Sequence, residues 1–203
     1  MPITRISENK LNETIAFHGH WCPGLAIGIR AAEWAISEMG KSSDEEIVTV
    51  VETDMCGVDA IQYLTGCTFG KGNLVYKDYG KNAFTFYRRR DGKTMRLVLR
   101  AAAYGDTSPL LGRLHHKRET VGLSEEEEKT WREARSAISR RIMESEIEEL
   151  FDFKKPEEPL PKKARIFASL VCDNCGEPVM ETRTRSFDQR VLCIPCFDAI
   201  ERR

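Results

Sequence analysis

Hydrophobic residues recur along the first 150 residues with two different spacings, and the spacing predicts which segments are helices and which are strands. Apolar residues three or four apart, as at Leu11 and Ile15, favour an amphipathic helix. Four segments have this pattern: residues 7–16, 23–39, 108–118 and 124–151. Short β-branched or aromatic runs favour strands, and they occur at residues 47–51, 74–76, 83–87 and 95–99. The chain therefore combines helices and strands.

The last of these helical segments predicts a long amphipathic helix. Its start is marked by Ser124, which is followed three residues later by Glu127 in the capping-box pattern. Its apolar stripe consists of Trp131, Ala134, Ile138, Ile142 and Ile147. We expect this stripe to pack on the core, and a helix of this kind can also pair with its own copy, which predicts a homodimer.

The hydrophobic pattern breaks off after residue 152. Three prolines at residues 156–161 stand among lysines and glutamates, a composition typical of an extended linker. We therefore predict a core domain at residues 1–152, a linker at 153–165 and a small C-terminal domain at 166–203. A chain of 203 residues, 41% of them hydrophobic, is long enough for this organisation.

Four of the seven cysteines form two closely spaced pairs in the C-terminal domain. Two residues separate Cys172 from Cys175 and Cys193 from Cys196, and seventeen residues lie between the pairs. This spacing predicts a zinc finger in which four thiolates close a tetrahedral structural site. The helical pattern that follows the second pair indicates a treble-clef finger. An iron centre of the rubredoxin type or a redox-labile thiol cluster is the alternative.

Two histidines and a cysteine alternate immediately before the second predicted helix. In an extended segment His18, His20 and Cys22 lie on one side, where a borderline metal such as Zn²⁺ can collect them. Cys22 falls at the helix start, whose free N–H groups favour a thiolate. Cys56 has the equivalent position between a strand and a helix. We therefore predict a core metal site built from His18, His20, Cys22 and Cys56.

The residues alone leave the chemistry of this core site open. Cys56 and Cys22 can each serve as a metal ligand or as a catalytic nucleophile, and the ion can be zinc or another divalent transition metal. Asp54 or Asp59 is expected in contact with the ion or its ligands. A redox pair of two core cysteines and inert buried thiols are the alternatives.

The charge balance argues against polyanionic partners. Lys and Arg number 31 and Asp and Glu 32, so no net field attracts nucleic acid or an anionic membrane. The arginines of the C-terminal domain are interleaved with acidic residues, whereas a nucleic-acid site needs a clustered basic face. No apolar run approaches the ~18 residues of a membrane span, and the N-terminus lacks a signal-peptide core. We expect a cytoplasmic protein that binds neither nucleic acid nor a membrane.

Four segments in the first half of the chain resemble, in order, those of one family. They are His-Gly-His-Trp-Cys-Pro-Gly at residues 18–24, Cys-Gly-Val-Asp-Ala-Ile-Gln at 56–62, Gly-Cys-Thr-Phe-Gly-Lys-Gly-Asn-Leu at 66–74 and Gly-Lys-Asn-Ala-Phe at 80–84. The resemblance to the FmdE family of formylmethanofuran dehydrogenase implies an α+β core, similar to a thioredoxin-like mixed sheet flanked by helices, with a metal-binding active site. It also makes Lys81 a candidate catalytic residue that contacts substrate; without the resemblance, Lys81 is a loop lysine.

Three classes of function are compatible with these features. The first is a metal- or thiol-dependent enzyme that acts on a small molecule. The second is a non-catalytic accessory subunit of a larger redox enzyme complex, and the third is a zinc-finger regulator that senses a metal or a small ligand. The resemblance favours the first two without separating them. An open metal position would support the enzyme, whereas a closed ligand set without a pocket would support the others.

Overall fold

The computed structural model describes residues 4–41, 46–106 and 108–201. Its contacts divide the chain into two compact units, Met1–Lys163 and Ala164–Arg203. In the described part of the chain, no helix is both long and apolar enough to cross a membrane.

The first unit contains six α-helices and five strands within its described residues. The helices are α1 (Glu8–His18), α2 (Pro23–Met39), α3 (Gly57–Thr65), α4 (Ser108–Thr120), α5 (Glu125–Glu144) and α6 (Ile147–Leu150). The strands are β1 (Ile47–Val51), β2 (Leu74–Tyr76), β3 (Ala83–Arg88), β4 (Thr94–Leu99) and β5 (Phe151–Lys154). Local signals set several of these ends: Ser124 and Glu127 form the predicted capping box of α5, and α2 begins at Pro23 and ends before Gly40.

The five strands form one mixed sheet in the order β2-β1-β3-β4-β5. β1 and β2 are parallel, and the other neighbouring pairs are antiparallel. The main core joins α2, α3 and α5 to one face of the sheet through residues such as Phe84, Phe86 and Leu97, which are fully buried. This arrangement confirms the predicted α+β class with a mixed sheet flanked by helices.

The opposite face of the sheet carries a smaller apolar cluster of Val48, Val50 and Tyr87. The proline-containing segment after β5 runs along this face: the Tyr87 hydroxyl donates a hydrogen bond to the Glu158 carbonyl at 3.2 Å, and Arg89 donates to the Pro161 carbonyl at 2.9 Å. The predicted extended character of this segment thus does not leave it free of contacts with the sheet.

The prediction of a single helix over residues 124–151 is wrong at its C-terminal end. α5 ends at Glu144, a short α6 follows, and Phe151–Lys154 form strand β5 at the edge of the sheet. The reason is tertiary pairing: Phe151 lies opposite Leu99 in the ladder with β4, and its side chain is completely buried. A pattern that is compatible with a helix is overridden by a long-range partner.

The second unit is small and contains two β-hairpins and one helix in its described part. Strands β6 (Ser169–Val171) and β7 (Pro178–Met180) pair, as do β8 (Thr184–Phe187) and β9 (Arg190–Cys193), and α7 (Ile194–Glu201) follows. Its buried core consists of Cys172, Leu192 and Cys193, with a few partly buried neighbours. A core of this size does not hold some forty residues together without another source of stability.

Candidate metal centre

The structure brings His18, His20, Cys22 and Cys56 together in the first unit. One ligand atom from each residue, a ring nitrogen or a sulfur, lies within 4.8 Å of the others. Two thiols and two imidazoles form a donor set that suits a divalent transition ion, zinc above all. The chemistry and spacing of the residues present therefore fit a bound ion.

Three of these residues are positioned by helix ends. His18 is the last residue of α1, and Gly19 follows with φ = 94°, a left-handed conformation that turns the chain toward α2. Cys22 is the N-cap of α2 and accepts a hydrogen bond from the Leu25 amide at 3.3 Å. Cys56 directly precedes α3. Helix N-termini present free N–H groups and positive potential, which favour the thiolate form that binds metal.

The two cysteines are neighbours because α2 and α3 pack with no side chain between them. A Cβ atom added at Gly28 would lie 2.1 Å from the carbonyl oxygen of Gly57 and 2.4 Å from its Cα. A Cβ added at Gly24 would lie 3.1 Å from the Cβ of Cys56. Glycine at these positions allows the backbones to approach closely, and the approach sets the distance between Cys22 and Cys56.

Asp59 orients His18. The Nδ1 atom of His18 lies 2.7 Å from a carboxylate oxygen of Asp59, in the first turn of α3. An Nδ1–H that donates to this carboxylate leaves Nε2 with its lone pair toward the sulfurs, 4.0 Å from the Cys22 sulfur. A carboxylate behind a histidine is a common support for a metal ligand. Of the two predicted aspartates, Asp59 makes this contact, whereas Asp54 is exposed.

The surroundings favour the uncharged forms of Cys56 and His20 in the absence of an ion. Burial raises the pKa of the Cys56 thiol, and the neighbouring Cys22 thiol raises it further. Desolvation lowers the pKa of His20, and the positive charges of His18 and Arg135 add to this effect. A neutral imidazole is the form that binds metal, whereas the Cys56 thiol must release its proton.

One side of the cluster opens to a cavity. Cys22 is 2% exposed, whereas His20 is exposed and lines a cavity of about 340 Å³ together with Trp21, Trp131 and Arg135. A small molecule in this cavity would therefore contact His20 before any other member of the cluster.

Sequence reasoning misses the position of Arg135 beside the cluster. The hydrophobic pattern predicts Trp131 only as part of the buried stripe of α5, and no motif singles out Arg135. Both lie near His20 because α5 packs next to the start of α2, and this proximity depends on tertiary packing. The only signal in the sequence is the spacing of four between a tryptophan and an arginine, which places them on one helix face.

Lys81 lies in a different cavity, of about 280 Å³, with Glu52, Lys77 and Arg96. Its amine is 5.8 Å from the centre of the Tyr79 ring. Lys81 is not a member of the His/Cys cluster, and its contact with a substrate stays a prediction.

The cysteines of the second unit form a second cluster. The sulfurs of Cys172, Cys175, Cys193 and Cys196 lie within 4.8 Å of one another, and the Cys193 amide donates to the Cys172 sulfur at 3.3 Å. Hydrogen bonds from the backbone at Cys175, Cys193 and Asn174 lower the pKa of Cys172 to about 6. Four sulfurs at this spacing fit a tetrahedral zinc site.

Comparison with known proteins supports both clusters. The model of the family "FmdE, Molybdenum formylmethanofuran dehydrogenase operon" matches residues 17–152, which include the core cluster. The model "Prokaryotic dksA/traR C4-type zinc finger" matches residues 165–202, which include the four C-terminal cysteines. The second unit is therefore a C4-type zinc finger.

Two individual proteins are similar over most of this chain. A "Probable S-adenosyl-L-methionine-binding protein" from Archaeoglobus fulgidus is 34% identical over 191 residues, 89% of this chain and 50% of that protein, so the chain spans half of that relative's length. The crystal structure of an FmdE-like protein of tungsten formylmethanofuran dehydrogenase, from Syntrophus aciditrophicus, has a TM-score of 0.62 at 23% identity and covers 99% of this chain and 97% of that one. The two chains thus share their fold. With a family model that matches two thirds of its residues, the chain belongs to the FmdE family.

Proposed function

We propose that this protein is a zinc-dependent enzyme that acts on a small molecule at the cluster of His18, His20, Cys22 and Cys56. The observation that carries the proposal is the meeting of four metal-binding side chains at the edge of a cavity. A purely structural site has no need of such an opening, whereas a catalytic site keeps one position accessible.

The burial of the four residues divides them into two roles. Cys22, Cys56 and His18 are buried or partly buried and hold the ion, with Asp59 fixing the ring of His18. His20 is exposed and faces the cavity, so it occupies the position that a substrate can take over. In this proposal Cys22 and Cys56 act as ligands. A bound divalent ion supplies a Lewis acid that polarises a carbonyl group or activates water.

The C-terminal finger has a structural role in this proposal. Its four sulfurs form a closed set with no place for a substrate, so we assign it a tightly held Zn²⁺. Cys193 ends β9 and Cys196 lies in the first turn of α7, an arrangement in keeping with a treble clef. Metal binding then supplies the folding free energy that its small apolar core lacks.

A non-catalytic accessory subunit is the second candidate. It is favoured by the names of the similar proteins, which refer to the operon of a dehydrogenase and to a component of one. In that case the core ion would be delivered or sensed, and a homodimer or a larger redox complex would be the working form. The two candidates differ in whether an added ligand reaches the core ion.

Metal analysis of purified variants tests the core assignment. We expect the native protein to hold an ion in each of the two clusters, and Cys56→Ser to lose the core ion alone. His20→Ala should hold the core ion more weakly. His115→Ala is the matched control, because His115 is an exposed histidine beside Glu119 and lies outside both clusters. A full metal content in both Cys56→Ser and His20→Ala would refute the core site.

Cobalt substitution distinguishes the enzyme from the accessory subunit. Co²⁺ in the core gives visible absorption bands that change when an added ligand binds the ion. We expect cyanide to change these bands, and S-adenosylmethionine should be included because the Archaeoglobus fulgidus relative is named for binding it. Bands that do not respond to cyanide would favour the accessory subunit.

A further inference from the structure

Two cavities meet at one side of α5. The cavity that contains His20 has a volume of about 340 Å³, and a second, of about 310 Å³, is lined by Pro23, Tyr104 and Leu111 among others. Trp131 and Arg135 line both. These two side chains therefore separate the cavities and are accessible to a molecule in either.

Trp131 has an unsatisfied hydrogen-bond donor. Its indole Nε1–H is buried and has no hydrogen-bond partner among the described residues, and the residue as a whole is 9% exposed. Buried N–H groups nearly always have a partner, because an unpaired one loses its bond to water without replacement. This donor thus calls for an acceptor that the described part of the protein does not provide.

Arg135 has a positive charge without a counter-ion. Its guanidinium carbon is 4.5 Å from the centre of the Trp131 ring, and among the described residues no carboxylate forms an ion pair with it. Arg118 packs on the same ring at 4.3 Å, but its charge is balanced by Glu128 at 2.9 Å. Of the two guanidinium groups at this ring, Arg135 is the one left to pair with a ligand.

The walls of both cavities lack acidic residues over the described part of the chain. No Asp or Glu lines either one, whereas the cavity of Lys81 contains three glutamates that neutralise its basic residues. Arg132 adds a second positive charge to the cavity of His20. An anion that enters these cavities meets donors and positive charge without opposing carboxylates.

We infer that Trp131 and Arg135 form a subsite for the carboxylate group of a small organic ligand. A guanidinium fork and an adjacent N–H match the planar pair of carboxylate oxygens, and the indole ring offers an apolar wall to the rest of the molecule. The inference builds on the proposed function, since the shared cavity places the remainder of the ligand next to His20. Arg135 is a binding residue in this assignment and takes no part in holding the ion.

Nuclear magnetic resonance of the indole N–H groups tests the subsite directly. The full chain, labelled with ¹⁵N and loaded with zinc, gives one indole signal for each of its three tryptophans, and Trp131→Phe identifies that of Trp131. We expect sodium propionate to shift the Trp131 signal downfield and to saturate, because the donor gains a charged acceptor. Propionamide has the same shape and no charge, and it should leave the signal in place.

Two arginine variants complete the test. Arg135→Gln should weaken propionate binding about tenfold or more, the usual effect of losing a charge-assisted pair. Arg140→Gln, which removes an exposed arginine of the same helix outside both cavities, should bind as the native protein does. Equal binding by Arg135→Gln, an equal response to propionamide, no saturable shift, or tighter binding of inorganic phosphate than of propionate would each overturn the inference.

The same samples separate this inference from the proposed function. Metal analysis reports whether the core ion is present and depends on Cys56, and the propionate titration reports the subsite. Loss of the carboxylate response with a core ion present refutes the subsite alone. A carboxylate response in protein whose metal content does not depend on Cys56 refutes the core centre alone.

Discussion

The contact between Gly28 and Gly57 offers the sharpest test of how packing builds the metal centre. Replacing Gly28 with Ala adds a single methyl group to the interior of α2. That group would lie 2.1 Å from a backbone oxygen of Gly57, whereas ordinary van der Waals contact begins at 3.4 Å. The obstacle is backbone and cannot rotate away, so α2 and α3 must separate by about 1.3 Å, the difference between these two distances.

The magnitude follows from two opposing terms. Overpacking a core typically costs about 1–3 kcal/mol, and the backbone clash favours the upper end. Alanine in place of a helical glycine returns about 0.5–1 kcal/mol. We therefore expect a net loss of about 2 kcal/mol in the free energy of unfolding. A helix shift of about 1.3 Å also exceeds the ~0.2 Å tolerance of metal–ligand bonds, so Cys22 and Cys56 should no longer share an ion.

Urea unfolding and metal analysis measure both effects on the same protein. The matched control is Gly112→Ala, also within a helix, where an added Cβ meets nothing within 4 Å and stability should rise slightly. The finger should keep its ion in both variants. Native stability together with a full core metal content in Gly28→Ala would refute the reasoning.

Three further predictions concern other parts of the molecule. Arg96 holds both carboxylate oxygens of Glu52, at 2.6 and 2.7 Å, and so lowers the Glu52 pKa below 4.5. The pair therefore stabilises the fold at neutral pH, and this contribution is lost as pH falls through the lowered pKa. Glu52→Gln should cost about 1–3 kcal/mol at pH 7 in urea unfolding, less than a fully buried pair, and the difference should vanish in acid; a constant difference would contradict this. Asp59→Asn should weaken core metal binding about 10–100-fold in competition with a chromophoric chelator, because His18 loses its support; unchanged affinity would mean that Asp59 is dispensable. Cys172→Ser should abolish hydrogen-exchange protection in residues 164–201 while the core keeps its ion, and retained protection would show that the finger folds without metal.

Much of the secondary structure can be predicted because its signals are local. Pro23 and Gly40 mark the ends of α2, and Ser124 with Glu127 forms a capping box within one turn. Such features depend on neighbours in sequence, so they can be recognised without the fold. β5 cannot, because Phe151 becomes a strand residue only by pairing with Leu99, fifty-two positions away.

The same distinction applies to the core centre. The common position of Cys22 and Cys56, each at the start of a helix, is enough to predict that they lie close together. The glycine contact that sets their distance carries no recognisable pattern in the sequence. The unpaired indole N–H of Trp131 and the unbalanced charge of Arg135 are likewise properties of the packed α5, and no motif announces them.

An anomalous difference map recorded at the zinc edge from crystals of the full chain tests the central claim most directly. We predict one peak among the four finger sulfurs and another bonded, at about 2.0–2.3 Å, to the sulfurs of Cys22 and Cys56 and to Nε2 of His18. A finger peak at full height with no ion between Cys22 and Cys56 would contradict the account.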